Sequence, residues 1–101
     1  MVKRRELGDV GTKLLLENDR VKIWELDLKV GESSRWHKHL LDYITVGLTE
    51  GGRMHREFDD GTEDETRPSW GDCRFAEKHQ AHTVTNIGST RHRNILIELK
   101  D

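Results

Sequence analysis

A chain of 101 residues, with 17 Lys plus Arg against 19 Asp plus Glu and a net charge of −2, has room for one domain around one small core. So nearly neutral a chain has no long-range attraction for polyanions, which excludes nucleic acid and acidic membrane surfaces as main partners and points to a small-molecule substrate. The lone cysteine, Cys73, excludes an intrachain disulfide, suits a reducing compartment such as the cytoplasm, and is expected to be a small buried hydrophobe.

The basic start, Met1 to Glu6, is followed by no apolar stretch, and runs such as Leu14-Leu15-Leu16 are too short to span a bilayer. Val21 to Val30 alternates apolar and polar, first on odd positions (Val21, Ile23) and then on even ones (Trp24, Leu26, Leu28, Val30). That phase slip predicts a bulge near Trp24. Gly31-Glu32-Ser33-Ser34 closes the strand, and Tyr43 to Thr49 forms the next, ending at Gly51-Gly52; the two read as a hairpin corner. Arg53 to Phe58 and Glu63 to Arg67 flank Asp59-Asp60-Gly61-Thr62, whose Asp-Gly pair supplies the positive φ of a tight hairpin. Pro68 to Asp72 is a turn and Cys73 to Ala76 a short strand. His82 to Asn86 extends to a turn at Gly88-Ser89, and Asn94 to Leu99 is the last strand, with Ile95, Ile97 and Leu99 on one face. No window carries a helical apolar period longer than about three turns. The result is an all-β chain of roughly eight to ten strands, in the range of closed or double-sheet folds.

Six histidines stand out in so short a chain. His37 and His39 are one residue apart in extended backbone, so both imidazoles leave one face as a two-pronged set suited to Zn, Fe, Ni or Cu. On spacing alone, a pair of exposed edge-strand histidines is the commoner explanation. Tyr43 shares their parity and faces either the same cavity or the core, whereas Asp42 has the opposite parity and is expected outside unless a local slip turns it in as a ligand. His79, three residues before His82 across a turn, reads as a solvated loop residue before a fourth ligand or a proton carrier beside the site, and His55 and His92 read as surface residues. Trp36 is expected on the barrel exterior or in a subunit contact, and Trp70 and Phe75 in the core or an interface. Glu77 is either a general base at a pocket rim or a solvated acid.

Gly31 lies six residues before His37, and far downstream Gly71-Asp72 leads to His82 and Asn86. This layout resembles the cupin superfamily. Its first motif is a glycine, five residues, His-x-His, a glutamate and a later glycine; its second runs from Gly-Asp to a histidine and then an asparagine. Here the glutamate position falls on Tyr43 or Ile44, while Glu77 and His79 stand where the second motif has a proline and a glycine. The resemblance spans Asp19 to Leu99 and implies a cupin double-stranded β-helix, a jelly-roll barrel, with residues 1–101 as a single domain. It implies that His37, His39 and His82 are the ligands of a divalent transition metal, Fe(II) or Zn(II). Three neutral ligands leave the ion its full charge and open positions, which favours an anionic, chelating substrate. Asn18 to Val21, Gly31 to Ser33 and Ile97 to Lys100 are similar to stretches of stand-alone cupins associated with β-alanine degradation.

Two classes of function follow. One is an enzyme with a three-histidine Fe(II) dioxygenase-type site, in which Tyr43 orients the substrate and Glu77 is the candidate base; a Zn(II) hydrolase, isomerase or lyase on the same residues is its alternative. The other is a ligand-binding or sensing cupin without chemistry, or a metal-binding assembly protein. The resemblance also implies a homodimer, formed by sheet extension or by exchange of Thr12 to Glu17.

Overall fold

The computed structural model of the chain describes residues 7–100, and these form nine β-strands and no helix. In chain order they are β1 (Lys13–Glu17), β2 (Val21–Leu28), β3 (His37–His39), β4 (Tyr43–Gly47), β5 (Met54–Phe58), β6 (Glu63–Thr66), β7 (Cys73–Ala76), β8 (His79–Asn86) and β9 (His92–Leu99). Two antiparallel sheets result, one ordered β1-β2-β9-β4-β7 and the other β3-β8-β5-β6. With no helix among the described residues, none is long and apolar enough to cross a membrane.

Local chemistry sets the turns. Asn18 accepts hydrogen bonds from the backbone N–H of Arg20 and Val21, which folds β1 onto β2. Gly61, at φ +87°, donates to the carbonyl of Phe58, and Asp60 accepts from both the N–H and the hydroxyl of Thr62, so the β5–β6 hairpin forms where the Asp-Gly pair predicts it. Strand β4 stops at Gly47, where a Cβ would lie 2.0 Å from the carbonyl oxygen of Ser69; the turn before β7 crosses the backbone there.

The predicted corner between β2 and β4 does not pair. β9 lies between them, bonded to β2 from Val21↔Leu99 to Leu28↔His92 and to β4 from Tyr43↔Glu98 to Gly47↔Asn94. The long β2–β9 ladder, closed late in the chain, outcompetes the short local connection. The bulge expected near Trp24 lies instead in the partner strand, where the register shifts between Leu14 and Leu16 opposite Trp24 and Ile23. β2 itself is regular, with Trp24, Leu26 and Leu28 buried and Val21 and Ile23 on the outer face.

Inside the barrel, Val10, Trp24, Tyr43 and Leu96 form one buried cluster, and Leu26, Leu28 and Met54, with Val84 packed on them, form another. Trp24 Nε1 donates to buried Glu98 at 2.7 Å. Asn86, 1% exposed, donates to the carbonyls of Leu28 and Thr90 and accepts from Gly88 N–H, so the asparagine of the second motif pins the end of β2 to the β8–β9 turn.

On β9 the inward face is His92, Asn94, Leu96 and Glu98, while Ile95, Ile97 and Leu99 face outward and are half-buried. His92 is therefore not a surface residue; it is buried, with Nε2 on Asn94 Oδ1 at 2.7 Å. Cys73 is exposed rather than buried, because β7 is an edge strand. Trp70 and Phe75 are 68% and 61% exposed, so neither belongs to the core of this chain.

Candidate metal centre

Strand β3 contributes His37 and His39 with Lys38 between them; the two histidines are buried and the lysine exposed, as alternation on one strand requires. Across the sheet His37 pairs with His82 and His39 with His79, so β8 places Gln80 and Ala81 opposite Lys38 alone. That bulge turns His79 and His82, three residues apart, toward the same side of the sheet. His79 is therefore a half-buried strand residue beside the triad and not a solvated loop residue.

The ligand-capable atoms of His37, His39 and His82 lie within 4.8 Å of one another, and each of these residues is 2% exposed. Ring centroids are 4.9 Å apart for His37 and His39, 4.5 Å for His37 and His82, and 5.2 Å for His39 and His82. His37 Nδ1 donates to the carbonyl of Arg35 at 2.7 Å, which fixes the tautomer and leaves Nε2 as a lone-pair atom. That Nε2 faces His82 Nε2 at 2.8 Å. Nδ1 of His39 and of His82 is buried with no hydrogen-bond partner among the described residues. An all-imidazole set with inward lone pairs and orphaned ring nitrogens fits a divalent transition metal such as Zn, Fe, Ni or Cu, and not the oxygen-seeking Ca or Mg.

Burial keeps the triad neutral. Desolvation is the first cause of the lowered pKa of all three; His39 is held at about 3 and His82 at about 2, the neighbouring histidines adding to the effect, while for His37 the Arg35 carbonyl opposes it. A neutral imidazole is the form that ligates.

Tyr43, the first residue of β4, is buried and stacks on His39 with centroids 3.9 Å apart and planes 17° apart. Its hydroxyl lies 2.7 Å from His79 Nε2. His79 Nδ1 faces the carbonyl of Gln80 at 2.9 Å and so must carry the hydrogen, which makes His79 Nε2 the acceptor and Tyr43 the donor. Burial raises the phenol pKa to about 12, so Tyr43 stays protonated.

The triad and Tyr43 line a cavity of about 240 Å³ whose apolar wall is Leu26, Met54, Val84 and Leu96. Its charged lining is Arg56 on β5, bonded to Asp64, and the Asp72–Arg74 pair. Sequence alone gives Arg56 no role; it shares its face of β5 with Met54 and Phe58, and that this face lines a cavity is visible only in the fold. Asp42 accepts from Lys78 N–H and is not a ligand of the triad, as its parity predicts. Glu77 is exposed in the β7–β8 connection and does not line the cavity. His55 is half-buried and hydrogen-bonded to Glu63 at 2.7 Å, away from the triad.

Comparison with solved structures agrees with this architecture. The chain is similar to a cupin domain from Bordetella pertussis Tohama I, with 26% identity and a TM-score of 0.80 over 98% of this chain and 100% of that one. It is similar to a cupin superfamily protein from Desulfitobacterium hafniense DCB-2, with 22% identity and a TM-score of 0.64 over 98% of this chain and 84% of that one. It is likewise similar to an RmlC-like cupin family protein with a double-stranded β-helix fold from Methanocaldococcus jannaschii, with 16% identity and a TM-score of 0.70 over 99% of this chain and 92% of that one. No family model and no curated protein matches the sequence. The chain has the cupin fold, a double-stranded β-helix of two antiparallel sheets, and carries three clustered histidines able to hold a metal ion.

Proposed function

We propose that the chain is a metal-dependent cupin enzyme acting on a small anionic substrate that chelates through oxygen, with Fe(II) held by His37, His39 and His82 in a dioxygenase-type site. The observation that supports it most is the convergence of three buried, neutral imidazoles on one wall of a cavity. The ion supplies redox chemistry toward dioxygen as Fe(II), or Lewis-acid polarisation of a bound oxygen as Zn(II). The chain's own residues do the rest. The apolar wall of Leu26, Met54, Val84 and Leu96 excludes water, and the Tyr43–His79 pair holds a proton at the phenol oxygen beside His39.

Anaerobic purification and elemental analysis, then reconstitution with Fe(II) or Zn(II) and oxygen-electrode assays on β-diketones, 2-oxo acids and small thiols, test this function. Oxygen uptake with iron alone is the expected result. Turnover of esters or acetals with zinc alone assigns the hydrolytic alternative, and tight ligand binding without any turnover assigns a binding protein.

We also infer a homodimer in the cytoplasm. The lone cysteine supports a reducing compartment, and the aliphatic outer face of the five-stranded sheet supports self-association.

A further inference from the structure

The cavity holds one feature that neither the fold nor the three histidines require. Arg56 sits on β5 between Met54 and Phe58 and pairs across the sheet with Val84, while Phe58 pairs with His82. It is therefore one inward position, about 7 Å along the strand, from the row of the triad. The guanidinium carbon lies 5.2 Å from the ring centroid of Phe58. Asp64 on β6 takes one edge, Nε at 2.7 Å and Nη2 at 2.5 Å, which leaves the Nη1 corner outside that pair. The side chain lines the cavity and is 28% exposed. Arg74, the other cavity cation, is 60% exposed and paired with Asp72, so water screens it more strongly.

Among the described residues no carboxylate belongs to the histidine cluster, so an ion held there keeps its charge, and Arg56 places a second positive group on the same cavity. At about 240 Å³ the space is smaller than the pockets of drug-sized ligands, roughly 300–1,000 Å³. We propose that Arg56 is a ligand-recognition residue that reads the carboxylate of a small acid whose other oxygen faces the three histidines. This rests on the metal-centre assignment above and adds the second point of attachment. Phe58 and Asp64 keep the guanidinium placed, and Asp64 also tempers its charge, so the two ends of the Arg56–Asp64 pair have opposite effects on an incoming carboxylate.

The test uses the cobalt(II)-loaded full chain, titrated by visible absorption with two small chelators: pyruvate, which carries a carboxylate, and acetylacetone, which does not. Arg56→Gln is expected to weaken pyruvate at least about tenfold, the loss of one charge-assisted hydrogen bond, and to leave acetylacetone within about twofold. Asp64→Asn is expected to tighten pyruvate, and Arg56→Lys, which keeps the charge without the planar fork, to fall between wild type and Arg56→Gln. Unchanged pyruvate affinity in Arg56→Gln overturns the proposal. So does equal weakening by Arg56→Gln and Asp64→Asn, which is the mark of a structural role. Wild type that retains cobalt and fails to bind pyruvate overturns it while leaving the metal centre intact. Wild type that cannot retain cobalt overturns the metal centre itself.

Discussion

His37 and His82 meet through their Nε2 atoms at 2.8 Å, with His37 Nδ1 already committed to the carbonyl of Arg35. Two such nitrogens are at ease only with a proton or a cation between them, and His82 Nδ1 has no partner among the described residues to compensate. His37→Ala, His39→Ala and His82→Ala are therefore each expected to abolish retention of one equivalent of metal, read by elemental analysis after desalting. His55→Ala, at a hydrogen bond with Glu63 outside the cavity, is expected to leave it intact. Retention unchanged by any of the three triad substitutions removes that residue from the ligand set. Metal at about a thousandfold above its Kd is expected to stabilise the fold by about 4 kcal/mol.

Stability of the metal-free protein is expected to depend on acid in a defined window. His39 and His82 titrate at about 3 and about 2 when folded, against 6.5 as the ordinary value, and burial also lowers His37 and His92. Above pH 6.5 both folded and unfolded forms are neutral at these sites. As pH falls from 6.5 toward 3 the unfolded chain takes up protons at His39 and His82 and the folded chain does not, so the folded state loses up to about 1.4 kcal/mol per pH unit for each of these two, and His37 and His92 act in the same direction. Denaturant unfolding between pH 7 and 4 without metal measures the slope. A flat profile means that the imidazoles are solvated or already protonated.

Most of the fold is written in spacing that is local: the Asp-Gly hairpin, the alternation of β2, and His-x-His on a single strand. What the sequence conceals depends on distant pairing. The bulge at Gln80 and Ala81 reverses the parity of His79, and nothing local marks it, because it exists only against Lys38 of β3. Parity also misleads on β9, whose aliphatic face is the outer one; a polar cavity lining and an apolar exterior invert the usual pattern, and with it the expected exposure of His92. Arg56 is hidden for the same reason, since a charge at an inward position is legible only once the strand is known to line a cavity.

Tyr43 is expected to act on proton placement and not on metal retention. Tyr43→Phe keeps the ring that stacks on His39 at 3.9 Å and deletes the donor to His79 Nε2. A half-buried acceptor is then left without its hydrogen bond, a cost of about 1–2 kcal/mol in thermal or chemical unfolding. Metal content is expected to stay at the wild-type value while turnover falls. Loss of metal in Tyr43→Phe means that the phenol belongs to the ligand set.

The outer face of the five-stranded sheet carries a row of apolar side chains across all five strands: Leu16 opposite Ile23, Ile23 opposite Ile97, Ile97 opposite Ile44, and Ile44 opposite Phe75. Four strand spacings make this strip roughly 19 Å wide. Ile95, Val46 and Leu99 widen it, and the Glu25–Arg93 and Asp27–Arg91 ion pairs border it. Leu16 and Phe75 at its ends are 49% and 61% exposed, a large apolar surface for the water-facing side of a sheet. Ile97→Lys places a charge at the centre of the strip, outside the cavity and on the face opposite Leu96 and Glu98. Sedimentation velocity is expected to give a dimer for wild type and a monomer for Ile97→Lys, with metal content unchanged in both, because the triad lies on the inner side of the other sheet. Wild type that sediments as a monomer at concentrations of about 100 μM leaves this face without a second copy, since an interface weaker than that corresponds to less than about 6 kcal/mol of binding free energy.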